Sequence, residues 1–252
     1  MLHIIIQARM TSTRLPGKIM LPLCNKPVLQ IMLERLNVFK NNIIIATTND
    51  GSEQPIVNLC QQLGVRYFQG DTNNVLERYY LAATQFDAQG EDVVVRLTSD
   101  CPLIDPEVTQ STIDYYINHS FDYVSAGTGS GFPRGMDTEV FSYELLTEAY
   151  HNATQDYEKE HVTPYFYQTC ADRLKFGQHI NKSDHSKYRL TLDEDDDYQA
   201  IQAVYKKLDY RTDFVYDELI NVLEKNPYIY ELNAFVEQKK VEQKRVEQNK
   251  AE

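Results

Sequence analysis

Short apolar runs alternate along the chain with stretches whose apolar residues recur every three or four positions. The runs Leu2–Gln7, Asn42–Thr47, Val65–Gln69, Asp92–Leu97, Tyr123–Ala126, Thr138–Phe141 and Tyr188–Leu192 predict β-strands. Helical spacing covers Val28–Phe39, Glu53–Leu63, Val75–Phe86, Pro106–His119, Tyr143–Asn152 and Asp195–Leu208. One helix start is marked chemically. Asp105 can accept from first-turn N–H groups, Pro106 fits the first helical position, and Glu107 suits the positive end of the helix dipole. Strands such as "DVVVRLT" have no polar face, as expected of strands covered on both sides. The alternation therefore predicts an α/β fold with a mixed, mostly parallel sheet flanked by helices. In such sheets ligands bind outside the carboxyl ends of the strands, so the chemistry is sought in the loops there.

The pattern fades near the carboxyl end. Residues 1–235 are read as one domain, followed from Val236 by the polar tail "VEQKKVEQKRVEQNKAE". A five-residue repeat matches neither a helix nor a heptad, so Val236, Val241 and Val246 form no single apolar stripe. The tail is expected to be a frayed helix or disordered.

Charge changes the picture more than composition does. With 37 acidic against 25 basic residues and a formal charge of -12, the chain is a poor match for a nucleic acid or an anionic membrane. Any polyanion it takes should be small and held in a local basic pocket. No apolar run reaches the length of a membrane span, and no signal-peptide pattern opens the sequence, so a cytoplasmic location is the default. The four scattered cysteines lack zinc or redox spacing and read as reduced.

The acids are unevenly placed. None precedes Glu34, whereas Arg9, Arg14, Lys18 and Lys26 all fall in that first segment. After the first strand, "QARMTSTRLPGK" combines small and hydroxylated residues with Arg14, Gly17 and Lys18. Backbone N–H groups of such a loop can donate to phosphate oxygens, and the two cations can add charge-assisted hydrogen bonds. It is not a Walker loop, because Ile19 follows Lys18 and no glycine stands five residues before Gly17. On charge alone, a surface loop with solvated cations fits equally well.

Two carboxylates stand at strand exits. Asp100 follows the apolar strand in "VVVRLTSDCP", and Asp193 follows "YRLTL". Each could serve as a turn or capping residue. If its strand ends at the sheet edge where the opening loop lies, Asp100 could instead bind Mg²⁺, which prefers one or two carboxylates plus phosphate oxygens and water. The acids after Asp193 suit a solvated helix start.

"QARMTSTRLPGKIMLPLCNKPVL" resembles the nucleotide-binding loop of sugar nucleotidyltransferases, and within them the cytidylyltransferases. It is most similar to the spore-coat polysaccharide biosynthesis protein F family, with CMP-Kdo synthetase and acylneuraminate cytidylyltransferase related. Further similarity lies in "GDTNNVLERYYLAA", "GFPRGMDTEVFS", "EKEHVTP" and "TLDEDDD". The resemblance implies a Rossmann-like, GT-A-like fold and CMP transfer from CTP to an acidic sugar-like acceptor, with Mg²⁺, in a homodimer. It places Gln7, Ala8, Arg9, Arg14, Lys18, Arg78 and Asp100 at the nucleotide, with Asp100 and Asp193 on the metal. Arg14, Lys18, Asp100 and Asp193 would be the catalytic set. Arg134, Asp137, Glu139 and His161 would line the acceptor site, although Arg134 could equally pair with a local acid and His161 could meet an adjoining subunit. A GT-A-type glycosyltransferase using Asp193-Glu194-Asp195, or a catalytically silent nucleotide-binding homologue, are the alternatives.

Overall fold

The computed structural model describes residues 1–237, so the repeat expected beyond them lies outside the described residues. From the amino end, β1 (Leu2–Gln7) leads through a loop and a 3₁₀ turn at Lys18–Met20 into a small hairpin of β2 (Pro22–Leu23) and β3 (Lys26–Pro27). There follow α1 (Val28–Arg35), β4 (Ile43–Thr48), α2 (Gln54–Leu63), β5 (Arg66–Gly70), α3 (Val75–Gln85), β6 (Val93–Thr98) and α4 (Pro106–Ile117). The second half holds β7 (Tyr123–Ser125), β8 (Glu139–Ser142), α5 (Tyr143–Asn152), α6 (Asp156–His161) and β9 (Phe176–Gln178). It closes with α7 (Asp195–Lys207), α8 (Tyr216–Lys225) and α9 (Pro227–Glu231).

The main sheet runs β5-β4-β1-β6-β8-β7-β9. Its first four strands are parallel, β8 lies antiparallel to β6 and β7, and β9 runs parallel to β7. This is the mixed, mostly parallel sheet that the apolar strands predict. The two-residue period of β1 divides the core. Ile4 and Ile6 pack with Leu29, Met32, Ile56 and Leu59 of α1 and α2, whereas Ile5 packs with Val75, Tyr79 and Leu146 of α3 and α5. A third apolar cluster joins Leu190 and Leu192 to Ile201, Tyr205, Leu219 and Leu223 of α7 and α8. Asp105 accepts from the N–H groups of Glu107 and Val108, as its place before Pro106 predicts.

One expected strand does not form. Tyr188–Leu192 is extended and buries Tyr188, Leu190 and Leu192, but it makes only an isolated bridge, Arg189 to Arg134. Its backbone is used by two loops instead. Leu190 N–H donates to the Arg134 carbonyl at 2.7 Å, and Leu192 N–H donates to the Asp100 carbonyl at 2.7 Å. The apolar and polar residues alternate in the sequence, yet all five are buried, and such a pattern identifies an extended segment without requiring a ladder partner. The expected helix Val28–Phe39 likewise stops at Arg35 and continues as a 3₁₀ turn at Asn37–Phe39.

Candidate nucleotide and metal site

β1 and β6 end together, with Gln7 opposite Thr98, and the Ser99 N–H donates to the Gln7 carbonyl at 3.1 Å. The loops leaving both strands therefore start at one edge. In the first loop the Gly17 N–H reaches the Met10 carbonyl at 2.9 Å. Gly17 has φ 67°, a left-handed value that costs glycine little, and it redirects the chain into the 3₁₀ turn carrying Lys18. In the second loop Asp100 lies two residues beyond β6. The bond from Leu192 to the Asp100 carbonyl then draws Asp193 to the same place.

Lys18 is buried between the two acids. Its Nζ donates to Asp100 Oδ2 at 2.6 Å and to Asp193 Oδ1 at 2.9 Å. Arg14 approaches from outside, with Nη2 2.9 Å from Asp193 Oδ1 and Nη1 3.3 Å from Glu194 Oε1. Burial alone would push the Asp100 carboxyl up, but the charge and hydrogen bond of Lys18 hold it down at about 2. Asp193 is lowered too, Lys18 and Arg14 outweighing its burial and the repulsion from Asp100. Burial would lower the Lys18 ammonium, yet the two carboxylates carry it above its ordinary value. The cluster is charged throughout the neutral range.

One pocket gathers most of the residues that the sequence singles out. Gln7, Ala8, Arg9, Arg14, Lys18, Arg78, Asp100, Asp193 and His161 all line it, with Ser12, Thr13, Ser99 and Glu160 between them. A second concavity beside it shares Arg9, Val75 and Glu160 and runs along Asp71–Asn74. Asp71 caps that turn by accepting from the N–H groups of Asn73 and Asn74. Arg78 is 1% exposed, and its Nε and Nη1 have no hydrogen-bond partner. Burial, with some repulsion from Arg9, lowers its pKa. A desolvated guanidinium without acceptors is costly, so this one is suited to a ligand that brings them.

The remaining expected residues lie elsewhere. Arg134, Asp137 and Glu139 are absent from the pocket lining among the described residues. Arg134 Nη1 pairs with Asp137 Oδ1 at 2.6 Å, and Asp137 Oδ2 also accepts from the Gly135 N–H at 2.8 Å. Burial raises the Asp137 carboxyl despite Arg134. Glu139 faces its cross-strand neighbour Arg96 and accepts hydrogen bonds from Arg96, Tyr123 and Thr163. Arg96 also reaches Gln7 Oε1 at 3.3 Å, which ties this buried pair to the pocket floor. His161 lies in the pocket wall, 3.9 Å from Glu160.

Sequence reasoning passed over Arg96, Arg189, Asp197 and Asn233. Arg96 could have been flagged as the lone charge in an apolar strand, and Arg189 by its four-residue spacing from Asp193. Asp197 is fully buried and accepts from Arg189 Nε at 2.8 Å and from Asn233 Nδ2 at 2.9 Å. Its place among the acids after Asp193 suits a solvated helix start, and its burial overturns that expectation.

Among the described residues no group of three or more histidines, cysteines or acids gathers into a metal cage. Asp100 and Asp193 nevertheless share one cationic group. That donor set, two carboxylates open to a pocket, fits Mg²⁺ completed by phosphate oxygens and water.

The model of the cytidylyltransferase family matches residues 3–245. The chain belongs to the cytidylyltransferase family. Two relatives cover nearly its whole length. An uncharacterized protein of Methanocaldococcus jannaschii is 36% identical over 240 residues, 93% of this chain and 95% of its own. The spore coat polysaccharide biosynthesis protein SpsF of Bacillus subtilis is 34% identical over 231 residues, 88% of this chain and 94% of its own. A cytidylyltransferase structure from Leptospira borgpetersenii superimposes with a TM-score of 0.85 at 36% identity, covering 91% of this chain and 96% of that one. This cytidylyltransferase thus has the Rossmann-like fold that its opening motif implies, and no helix among its described residues is long and apolar enough to cross a membrane.

Proposed function

We propose that this chain transfers the cytidylyl group of CTP to a hydroxyl of an acidic sugar, releasing pyrophosphate, in the biosynthesis of a surface polysaccharide. The carrying observation is the pocket itself, lined by Arg9, Arg14, Lys18 and Arg78 together with the two carboxylates that share the Lys18 ammonium. SpsF, by its name, supports the polysaccharide setting.

The acceptor hydroxyl gives its proton to water as its oxygen attacks the α-phosphorus in line, a new P–O bond forms, and the bond to the departing pyrophosphate breaks with its electron pair. Such a reaction needs alignment and charge neutralisation rather than a covalent enzyme intermediate. Asp100 and Asp193 would hold Mg²⁺, which when bound polarises the phosphoryl oxygens and neutralises their charge. Arg14 and Lys18 donate to the leaving pyrophosphate. Arg78 and the Gln7–Arg9 backbone hold the nucleoside end. Arg134, which bridges to Arg189 four residues before Asp193, is assigned with Asp137 and His161 to the acceptor. Glu139 serves that side by fixing Arg96.

The test is pyrophosphate release from CTP and Mg²⁺ with a panel of acid sugars, run beside the other nucleoside triphosphates. Release with CTP and one acid sugar supports the reading. Release of a nucleoside diphosphate from a preformed nucleotide sugar, with no pyrophosphate from any pairing, refutes it.

A further inference from the structure

Asp193 would be a poor ligand if its side chain were free to turn, since a carboxylate at a loop exit can point either oxygen inward. Here the choice is made by a second layer. Arg189 Nη2 takes Asp193 Oδ2 at 2.9 Å, which leaves Oδ1 toward Lys18 and the pocket. Arg189 is itself a long, flexible side chain and needs fixing. Asp197 grips it as a fork, Oδ1 to Nε at 2.8 Å and Oδ2 to Nη2 at 3.1 Å.

The same buried carboxylate also controls the backbone. Asp197 Oδ2 accepts from the N–H of Asp193 at 2.9 Å and of Glu194 at 3.1 Å. Asn233, beyond α9 and 2% exposed, completes the unit. Its Nδ2 donates to Asp197 Oδ1 and to the Arg189 carbonyl, each at 2.9 Å. A residue that merely capped α7 would need only the backbone donors. Asp197 instead collects donors from three segments, one of them 36 residues away in sequence. All of them converge on the orientation of Asp193.

We propose that Asp197 and Asn233 are positioning residues that act through Arg189 to present a single oxygen of Asp193 to the divalent cation. The inference rests on the assignment of Asp193 as a metal ligand. Residues that orient a ligand from behind typically carry on the order of 10–100-fold in metal affinity. An ordinary helix cap would lower stability without separating metal binding from nucleotide binding.

The experiment is a Mn²⁺ titration of the full chain with CTP, followed by electron paramagnetic resonance of the free ion and with no acceptor present. CTP binding without metal is measured in parallel by thermal shift in EDTA. Asn233→Ala, which touches neither ligand, is expected to weaken Mn²⁺ binding by about 10-fold or more while leaving the metal-free CTP shift within about twofold of wild type. Asp197→Asn is expected to do more, and if it fails to fold, Asn233→Ala decides. Wild-type Mn²⁺ affinity in folded Asn233→Ala overturns the inference alone, as does an equal loss of metal and nucleotide affinity. If the wild-type chain binds neither CTP nor Mn²⁺, the cytidylyltransferase site falls, and this inference falls with it.

Discussion

Replacing Lys18 by methionine tests the electrostatic arrangement directly, because it keeps the aliphatic stem and removes the charge. The ammonium lies 2.6 Å from Asp100 Oδ2 and 2.9 Å from Asp193 Oδ1, so those oxygens can be no farther apart than the sum, 5.5 Å. At an effective dielectric of about 20, two negative charges at that separation repel by about 3 kcal/mol. Asp193 keeps Arg14 and Arg189 as counter-charges. Asp100 loses its cation. At neutral pH the variant should therefore be destabilised by about 3 kcal/mol, or roughly 6–12 °C in melting temperature for a chain of this length.

The pH dependence carries a definite sign. In the wild type the Asp100 carboxyl is held down at about 2 against an ordinary 3.8. Its stabilising contribution is complete above that ordinary value and disappears as pH falls toward about 2. In Lys18→Met the same carboxyl is raised by burial and by Asp193, so it takes up a proton earlier and relieves the repulsion. The gap between the two proteins should be widest near neutrality and should narrow steadily on acidification. Added Mn²⁺ should restore more melting temperature to the variant than to the wild type, since the variant offers two carboxylates with no resident ammonium. Thermal melts across pH, with and without MnCl₂, read all three effects. A variant that melts with the wild type at neutral pH, or a gap that acid leaves unchanged, would refute the reasoning.

Arg78→Met should melt no lower than the wild type, because the guanidinium it removes is buried with Nε and Nη1 unpartnered, yet it should lose the thermal shift caused by CTP. An undiminished CTP shift would show that Arg78 does not meet the nucleotide. Glu139→Gln leaves Arg96 without its buried counter-charge and should cost about 3–5 kcal/mol in urea unfolding. A cost below about 1 kcal/mol, the range of an exposed pair, would mean that solvent reaches it. Gly135→Ala places a Cβ 2.7 Å from the Leu190 carbonyl at φ 106°, so a loss of about 1–3 kcal/mol is expected from thermal melts. An unchanged melting temperature would show that the loop carrying Arg134 gives way freely.

The sheet was legible because β1, β4 and β6 are apolar on both faces, a pattern that local sequence records directly. Their shared exit edge followed, and with it the meeting of Gln7, Lys18 and Asp100. The failures are of another kind. β9 is three residues long, and its pairing with β7 depends on a chain segment some fifty residues earlier. Tyr188–Leu192 has strand-like alternation but spends its N–H groups on loops, and nothing local distinguishes those partners from a strand. α8 was passed over although Leu219, Ile220 and Leu223 carry helical spacing. Asp197 looks like one more acid in "DEDDD"; its burial is decided by Arg189 and by Asn233, which only folding brings near. Arg134, Asp137 and Glu139 stand in a motif yet do not line the pocket, whereas Gln7, Lys18 and Asp100 were readable from motif and strand position. Residues that hold them in place were not.

The uneven distribution of charge along the chain has a physical reading in the same terms. A formal charge of -12 opposes the approach of a triphosphate at long range. Surface acids are screened beyond about 8 Å at physiological ionic strength, whereas partly buried charges are screened much less. The charge that would matter to a nucleotide is therefore that of the pocket wall, lined by Arg9, Arg14, Lys18 and Arg78 together with Asp100, Glu160 and Asp193. Four cations against three acids leave the wall near neutral, and on the proposed function a divalent cation held by Asp100 and Asp193 would make it more positive. Three of the four cations come from the first 33 residues, the stretch without a carboxylate. On the proposed function, an acid in that loop would repel the phosphates with no metal to mask it. Asp100 and Asp193 arrive from other parts of the chain, at the point where, on the proposed function, a cation would lie between them and the nucleotide.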